Sequence, residues 1–113
     1  MKMNWIKLDS PEKLVEMKSA SENEKVLVFK FSPKCAINYV VRNLLEREWA
    51  EGEMRMKTYM VDVISGKGIS AQIEKDYGVD HESPQAIIID NGKVVFHASH
   101  GKVIYSELRK FTN

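Results

Sequence analysis

The stretch Val26–Asn38, Val-Leu-Val-Phe-Lys-Phe-Ser-Pro-Lys-Cys-Ala-Ile-Asn, constrains the chain more than any other: it joins an apolar run, a short turn and the only cysteine. Lys25–Ser32 is rich in valine and phenylalanine with almost no polar interruption. That is the composition of a strand covered on both faces by helices, so a central strand is predicted there. Side chains alternate along a strand, which puts Leu27, Phe29 and Phe31 on one face and Val26, Val28 and Lys30 on the other. Lys30 is thereby expected half-buried near the thiol, and the ordinary outcome for such a lysine is a packed stem with its ammonium in water. If a helix begins at Cys35, the thiol lies where backbone N–H groups and the positive end of the helix dipole converge.

Length bounds what can surround that stretch. A chain of 113 residues allows one compact domain, 1–113, built on a single core. Seventeen basic residues stand against sixteen acidic ones with no block of like charge, which argues against a nucleic-acid surface or a polybasic membrane patch. No apolar run approaches the ~20 residues that cross a bilayer, and Met1–Lys7 lacks the apolar segment of a secretion signal. The expected location is the cytoplasm. A single cysteine closes no internal disulfide and excludes a multi-cysteine zinc site, in keeping with a reducing compartment.

Taken in order, Trp5–Leu8 reads as a short first strand. Ser10 is placed to cap a helix with Pro11 at its first position. Leu14, Val15 and Met17 supply the apolar stripe of that helix to about Ala20. After Cys35, Ile37, Val40, Val41, Leu44, Leu45 and Trp49 share one helix face against Asn38, Arg42, Asn43, Glu46 and Arg47, and Gly52 lies just past the end. Lys57–Val63 is the next strand. Ser65-Gly66-Lys67-Gly68 is a loop with neither the glycine spacing of a dinucleotide site nor the ending of a P-loop. Ile69, Ile73 and Tyr77 mark a third helix that stops at Gly78. Two apolar runs, Gln85–Asp90 and Lys93–His97, flank Asn91-Gly92, a strong hairpin signal because the favoured turn needs positive φ twice. Ile104, Tyr105, Leu108 and Phe111 mark a final helix on the sheet. The order is βαβαβαββα, an α/β chain with a mixed sheet flanked by helices.

The chemistry available centres on Cys35. A thiolate rather than a thiol attacks a disulfide, and a helix start with Lys34 beside it would set the positive dipole end and a cation next to Cys35. The bland alternative is a small buried hydrophobe; the turn between strand and helix favours a reactive thiol. An X–Pro bond is cis in only about 5–6% of cases, so Pro84 by itself reads as a trans residue opening a strand. His97, alternating with Val94, Phe96 and Ala98, reads as a sheet-surface residue. His81 either tunes the site, holds a carboxylate of a small thiol, or plays a structural part; His100 is a weaker candidate for substrate contact. A metal site of Cys35 with histidines needs more ligands than the chain converges, so none is expected.

These residues also carry a resemblance. The cysteine at a helix start, Tyr77-Gly78-Val79, Pro84 opening a strand and Asn91-Gly92-Lys93 in a hairpin resemble the thioredoxin fold over nearly the whole chain. Within it, Phe29-Lys30, Ser32, Cys35 and Ile37, with His81-Glu82-Ser83-Pro84-Gln85 and His100-Gly101, resemble the monothiol bacilliredoxins, bacterial proteins linked to the small thiol bacillithiol. That family tends to read Lys-His-Ser and Cys-Pro-Ile-Ser where this chain has Lys30-Phe31-Ser32 and Cys35-Ala36-Ile37-Asn38. Asn38 stands where dithiol relatives carry a second cysteine.

The resemblance implies a thioredoxin-like fold and a cis Ser83–Pro84 bond beside the thiol. It makes Cys35 the nucleophile, with Lys34, Ala36, Ile37, Ser83, Pro84 and Gly101 meeting the substrate. It implies no bound cofactor, bacillithiol as co-substrate, and client proteins carrying mixed disulfides as partners. The leading expectation is a monothiol thiol–disulfide oxidoreductase. The alternative, motivated by Phe31, Ala36 and Asn38, is a noncatalytic thioredoxin-fold interaction module. A glutaredoxin-like iron–sulfur carrier ranks third, since that family's Cys-Gly-Phe-Ser turn is missing.

Overall fold

A computed structural model describes residues 3–113. Met1 and Lys2, at the head of the segment read for a secretion signal, lie outside the described residues. Five strands, β1 (Trp5–Lys7), β2 (Val26–Phe31), β3 (Lys57–Asp62), β4 (Gln85–Asp90) and β5 (Lys93–Ser99), form one sheet in the order β1-β3-β2-β4-β5. β1, β3 and β2 run parallel, while β4 lies antiparallel to β2 and β5 antiparallel to β4. Helices α1 (Pro11–Ser21), α2 (Ala36–Glu51), α3 (Lys67–Tyr77) and α4 (Tyr105–Leu108) complete the chain. This is the mixed, helix-flanked α/β arrangement expected, in the expected order.

β2 occupies the middle of the sheet because all six of its side chains are buried, the pattern of a strand covered on both faces. Its alternation divides the core. Leu27, Phe29 and Phe31 pack with Val41, Leu45, Trp49 and Leu108 under α2 and α4, whereas Val26 and Val28 pack with Met17, Val61, Ile73 and Ile87 under α1 and α3. Each such side chain contributes about 1.5–3 kcal/mol when fully buried. The turn that follows Phe31 is therefore attached to the most securely packed element of the fold.

Ends and turns follow local chemistry. Ser10 caps α1, its side chain accepting from the Lys13 N–H. Asn91 (φ 52°) and Gly92 (φ 74°) make the hairpin turn in the left-handed region. That turn docks on the end of α1: the Asn91 N–H donates to the Ser21 carbonyl at 2.6 Å and the Gly92 N–H to Ser21 Oγ at 3.0 Å. Gly52 does close α2, but with φ −99°. Its missing side chain is required by close approach, since a Cβ there would collide with the Tyr105 ring and hydroxyl.

Four expectations need correction. The buried side chains of α2 are Asn38, Val41, Leu45 and Trp49, so its core face is rotated from the apolar stripe. Ile37, Val40 and Leu44 are 44%, 60% and 41% exposed. Val15 is exposed, whereas Met17 is buried as expected, together with Ser21. The final helix is one short turn, Tyr105–Leu108, followed by a 3-10 turn at Arg109–Phe111, and Ile104 is exposed. Lys30 is wholly buried and does not reach water.

Candidate active site

The site begins where β2 runs out. The chain turns through Ser32–Cys35, with the Cys35 N–H directed at the Ser32 carbonyl at 3.4 Å. Cys35 itself is the N-cap of α2, in extended backbone conformation (φ −123°, ψ 119°), and its thiol is free and exposed. The first N–H groups of a helix lack carbonyl partners in their own helix and carry the positive end of its dipole. The structure thus seats the sulfur at the end of the helix that favours negative charge.

Two sets of contacts hold the turn. Below it, Asn38 is buried and its Oδ1 accepts the Ser32 N–H at 2.9 Å, closing the turn from inside; its Nδ2 has no partner. Outside, the Tyr39 hydroxyl donates to the Pro33 carbonyl at 3.2 Å. The Tyr39 ring meets Phe31 edge-on at 4.9 Å, and the Arg42 guanidinium lies over both rings, 4.9 Å from Phe31 and 5.0 Å from Tyr39. Phe31, only 6% exposed, is thus part of the packing behind the turn.

The neighbouring strand supplies the second wall. Lys30 pairs with Gln85 across the β2–β4 ladder, so one step further along lie Phe31 on one strand and Pro84 on the other. The Ser83–Pro84 peptide is cis, as the family resemblance implied and the residues alone did not. The Pro84 carbonyl accepts the His100 N–H at 2.8 Å, which ties the 3-10 turn His100–Lys102 to it. His100 Nε2 lies 2.9 Å from Glu82 Oε2.

Among the residues expected to meet substrate, Lys34, Ala36 and Ile37 are exposed on the thiol turn and first helical turn, Ser83 is half-buried, Pro84 buried and Gly101 exposed. The register brings all of them to the same end of the sheet. A Cβ on Gly101 would meet nothing. His97 is on the exposed side of β5. Among the described residues no group of three or more His, Cys, Asp or Glu side chains is placed to hold a metal ion.

Sequence reading missed a buried polar cluster on the α3 side of β2. Lys30 Nζ donates to the Ser70 carbonyl at 3.1 Å and lies 3.2 Å from His81 Nδ1; Ser70 Oγ is also 3.2 Å from Nδ1. The Glu74 carboxylate accepts the backbone N–H of His81 at 2.6 Å. Burial pushes the Lys30 ammonium below the usual lysine range, and the Glu74 carboxylate partly opposes that. The only signal in the sequence was a lysine inside an otherwise apolar strand.

Because the folded pKa of Lys30 is lowered, the unfolded chain binds more protons between that value and about 10.4, and stability rises with pH through the interval. Tyr59 and Tyr77 are raised, mainly by burial, with nearby carboxylates adding to it; they reverse the trend only above about pH 10. Urea midpoints are therefore expected to increase with pH on the alkaline side, as the pH climbs toward about 10.4, with a slope from Lys30 of at most about 1.4 kcal/mol per pH unit. Lys30→Met should lack this part of the rise. Identical slopes in the two proteins would refute the assignment.

Residues 6–108 match the monothiol bacilliredoxin BrxC family. The chain belongs to that family. Its solved relatives agree with the fold. A structure described provisionally as an oxidoreductase with a thioredoxin fold is 30% identical, with a TM-score of 0.81 over 94% of this chain and 91% of that one. Thioredoxin NaTrxh from Nicotiana alata, 14% identical, superposes with a TM-score of 0.75 over 100% of this chain and 96% of its own. The thioredoxin of Malassezia sympodialis, 13% identical, gives 0.74 over 97% and 88%. The two thioredoxins bear on the fold alone. As a bacilliredoxin, the chain carries one exposed cysteine and an asparagine three residues on. Among the described residues no helix is long and apolar enough to cross a membrane.

Proposed function

We propose that the chain is a monothiol exchange enzyme that removes a small thiol, bacillithiol, from protein cysteines. One observation carries the reading: the exposed Cys35 thiol caps α2 while the buried position three residues on holds Asn38, so the site has a nucleophile and no resolving thiol. The Cys35 thiolate attacks the small-thiol sulfur of a client mixed disulfide. A Cys35–small thiol disulfide forms, the old sulfur–sulfur bond breaks, and the client leaves as its thiolate. A second molecule of small thiol, as thiolate, then attacks the sulfur of the bound one, giving the small-thiol disulfide and regenerating Cys35. One cysteine suffices for both steps. The cycle needs a reducing compartment that supplies the outside thiol, and we place the chain there.

Exposure of Ile37, Val40 and Leu44 along α2, the helix that Cys35 caps, favours a second reading, a noncatalytic interaction module with a thioredoxin fold. Intact mass after exposure of the reduced protein to oxidised bacillithiol separates the two. The exchange enzyme acquires one bacillithiol per chain, lost again on adding free bacillithiol. A chain that stays unmodified under conditions that modify a free cysteine peptide is the interaction module.

A further inference from the structure

A cavity of about 690 Å³ opens beside the thiol turn and the cis bond, its polar lining made by Ser32, Lys67, Ser70, Glu74, His81 and Ser83. Its size is that of a small-molecule site. Ser32 begins the thiol turn and Ser83 precedes Pro84, so the cavity adjoins both elements that flank Cys35. Val63, Ile64 and Ala71 form an apolar wall.

The hydrogen bonds around His81 decide what the polar side offers. An ammonium has no lone pair, so Lys30 can only donate to His81 Nδ1, and Ser70 Oγ approaches the same nitrogen. With Lys30 charged, Nδ1 is the acceptor and the ring proton resides on Nε2. His81 is exposed, and it presents an N–H backed by a buried cation. Lys67 is the one lysine in the cavity lining. Glu74 is the one acid in the lining, and an oxygen of its carboxylate already accepts the backbone N–H of His81. Lys67 in the lining, with Lys30 buried behind His81, thus stands against one carboxylate.

Resting on the exchange reading above, we propose that this cavity receives a carboxylate of the small thiol during transfer to and from Cys35, with Lys67, His81 Nε2 and the serine hydroxyls as its partners. The apolar wall takes the carbon skeleton. An acidic side chain of a client is the other occupant with this chemistry, and probes without a peptide distinguish it.

Two symmetrical disulfides test the assignment: oxidised 3-mercaptopropionate, a dicarboxylate, and cystamine, a diammonium. In each case the Cys35 thiolate forms a disulfide with half of the probe and the other half leaves as thiolate. Adduct formation is followed by mass, each rate being divided by the rate of the same probe with N-acetylcysteine amide, a thiol of no net charge. The wild-type protein is expected to favour the dicarboxylate by about tenfold, the scale of one charge-assisted contact in a half-open site. Lys67→Glu should abolish or reverse the preference. Lys93→Glu, the same charge change at the far end of β4 and β5, where Lys93 pairs with Asp90, should leave it intact. Equal normalised rates, or a preference that Lys67→Glu and Lys93→Glu alter alike, overturn the carboxylate site and leave the exchange reading standing. A preference for acidic over neutral peptide disulfides without one between the small probes assigns the cavity to the client instead. No adduct with either probe sinks the exchange reading itself.

Discussion

Cys35→Ser protein is expected to release client thiols from a bacillithiol-modified substrate no faster than free bacillithiol does alone, a loss on the order of 10³-fold or more. The chain has no other cysteine, and a hydroxyl cannot carry the sulfur through a disulfide intermediate. The substitution is also structurally gentle. Position 35 is exposed and is the N-cap of α2, where Cys35 makes no side-chain capping bond. Serine is a preferred residue at that position. Its urea midpoint should therefore stay level or rise, by up to about 1 kcal/mol of stability, while activity vanishes. The assay is appearance of free thiol on the client. Transfer at the wild-type rate in the serine variant assigns the reaction to some other group.

The second large effect concerns Asn38. Its Oδ1 accepts the Ser32 N–H inside the fold, so Asn38→Ala leaves a buried backbone donor unpaired, at a cost of about 1–3 kcal/mol. Removal of Nδ2, itself unpartnered, offsets part of that. Asn38→Cys has a different consequence. It places a second thiol one helical turn from Cys35, close enough on the same helix face to reach it. The adduct on Cys35 should then be short-lived, because the introduced thiol attacks Cys35 and expels the small thiol. The product is an internal disulfide, lighter than the reduced chain by two hydrogen atoms. Mass spectrometry during turnover reads this directly. Persistence of the Cys35 adduct, as in the wild-type chain, shows that position 38 does not face the sulfur.

The parts of this structure that local patterning dictates were legible in the sequence. Alternation and apolar content give β2, the Asn91-Gly92 pair gives the hairpin, and Ser10-Pro11 gives the start of α1. Cys35 at the head of α2 follows from the break after Phe31. The cis bond at Pro84 came from the family resemblance alone, since local preference favours trans. Other features depend on partners distant in sequence. Lys30 is buried because Ser70 and His81, 40 and 51 residues away, meet its ammonium, and no window around Lys30 contains them. The face that α2 buries depends on a partner outside the helix in the same way. Six apolar residues suggested one stripe, but the Ser32 backbone recruits the Asn38 amide into the interior, and the helix rolls so that Ile37, Val40 and Leu44 turn outward. Hydrophobic periodicity has no term for a polar side chain that satisfies a buried backbone group.

The bond from Asn38 to Ser32 also bears on how the protein lives with changing surroundings. In a dithiol relative the turn gains or loses a covalent cross-link as the ambient potential moves, so folding stability and electron balance are coupled. Here an amide holds the turn whether Cys35 is free or carries a passenger. The scaffold should therefore melt at the same temperature in oxidising and reducing buffer, provided no small thiol is present, and only the occupancy of one sulfur should register the difference.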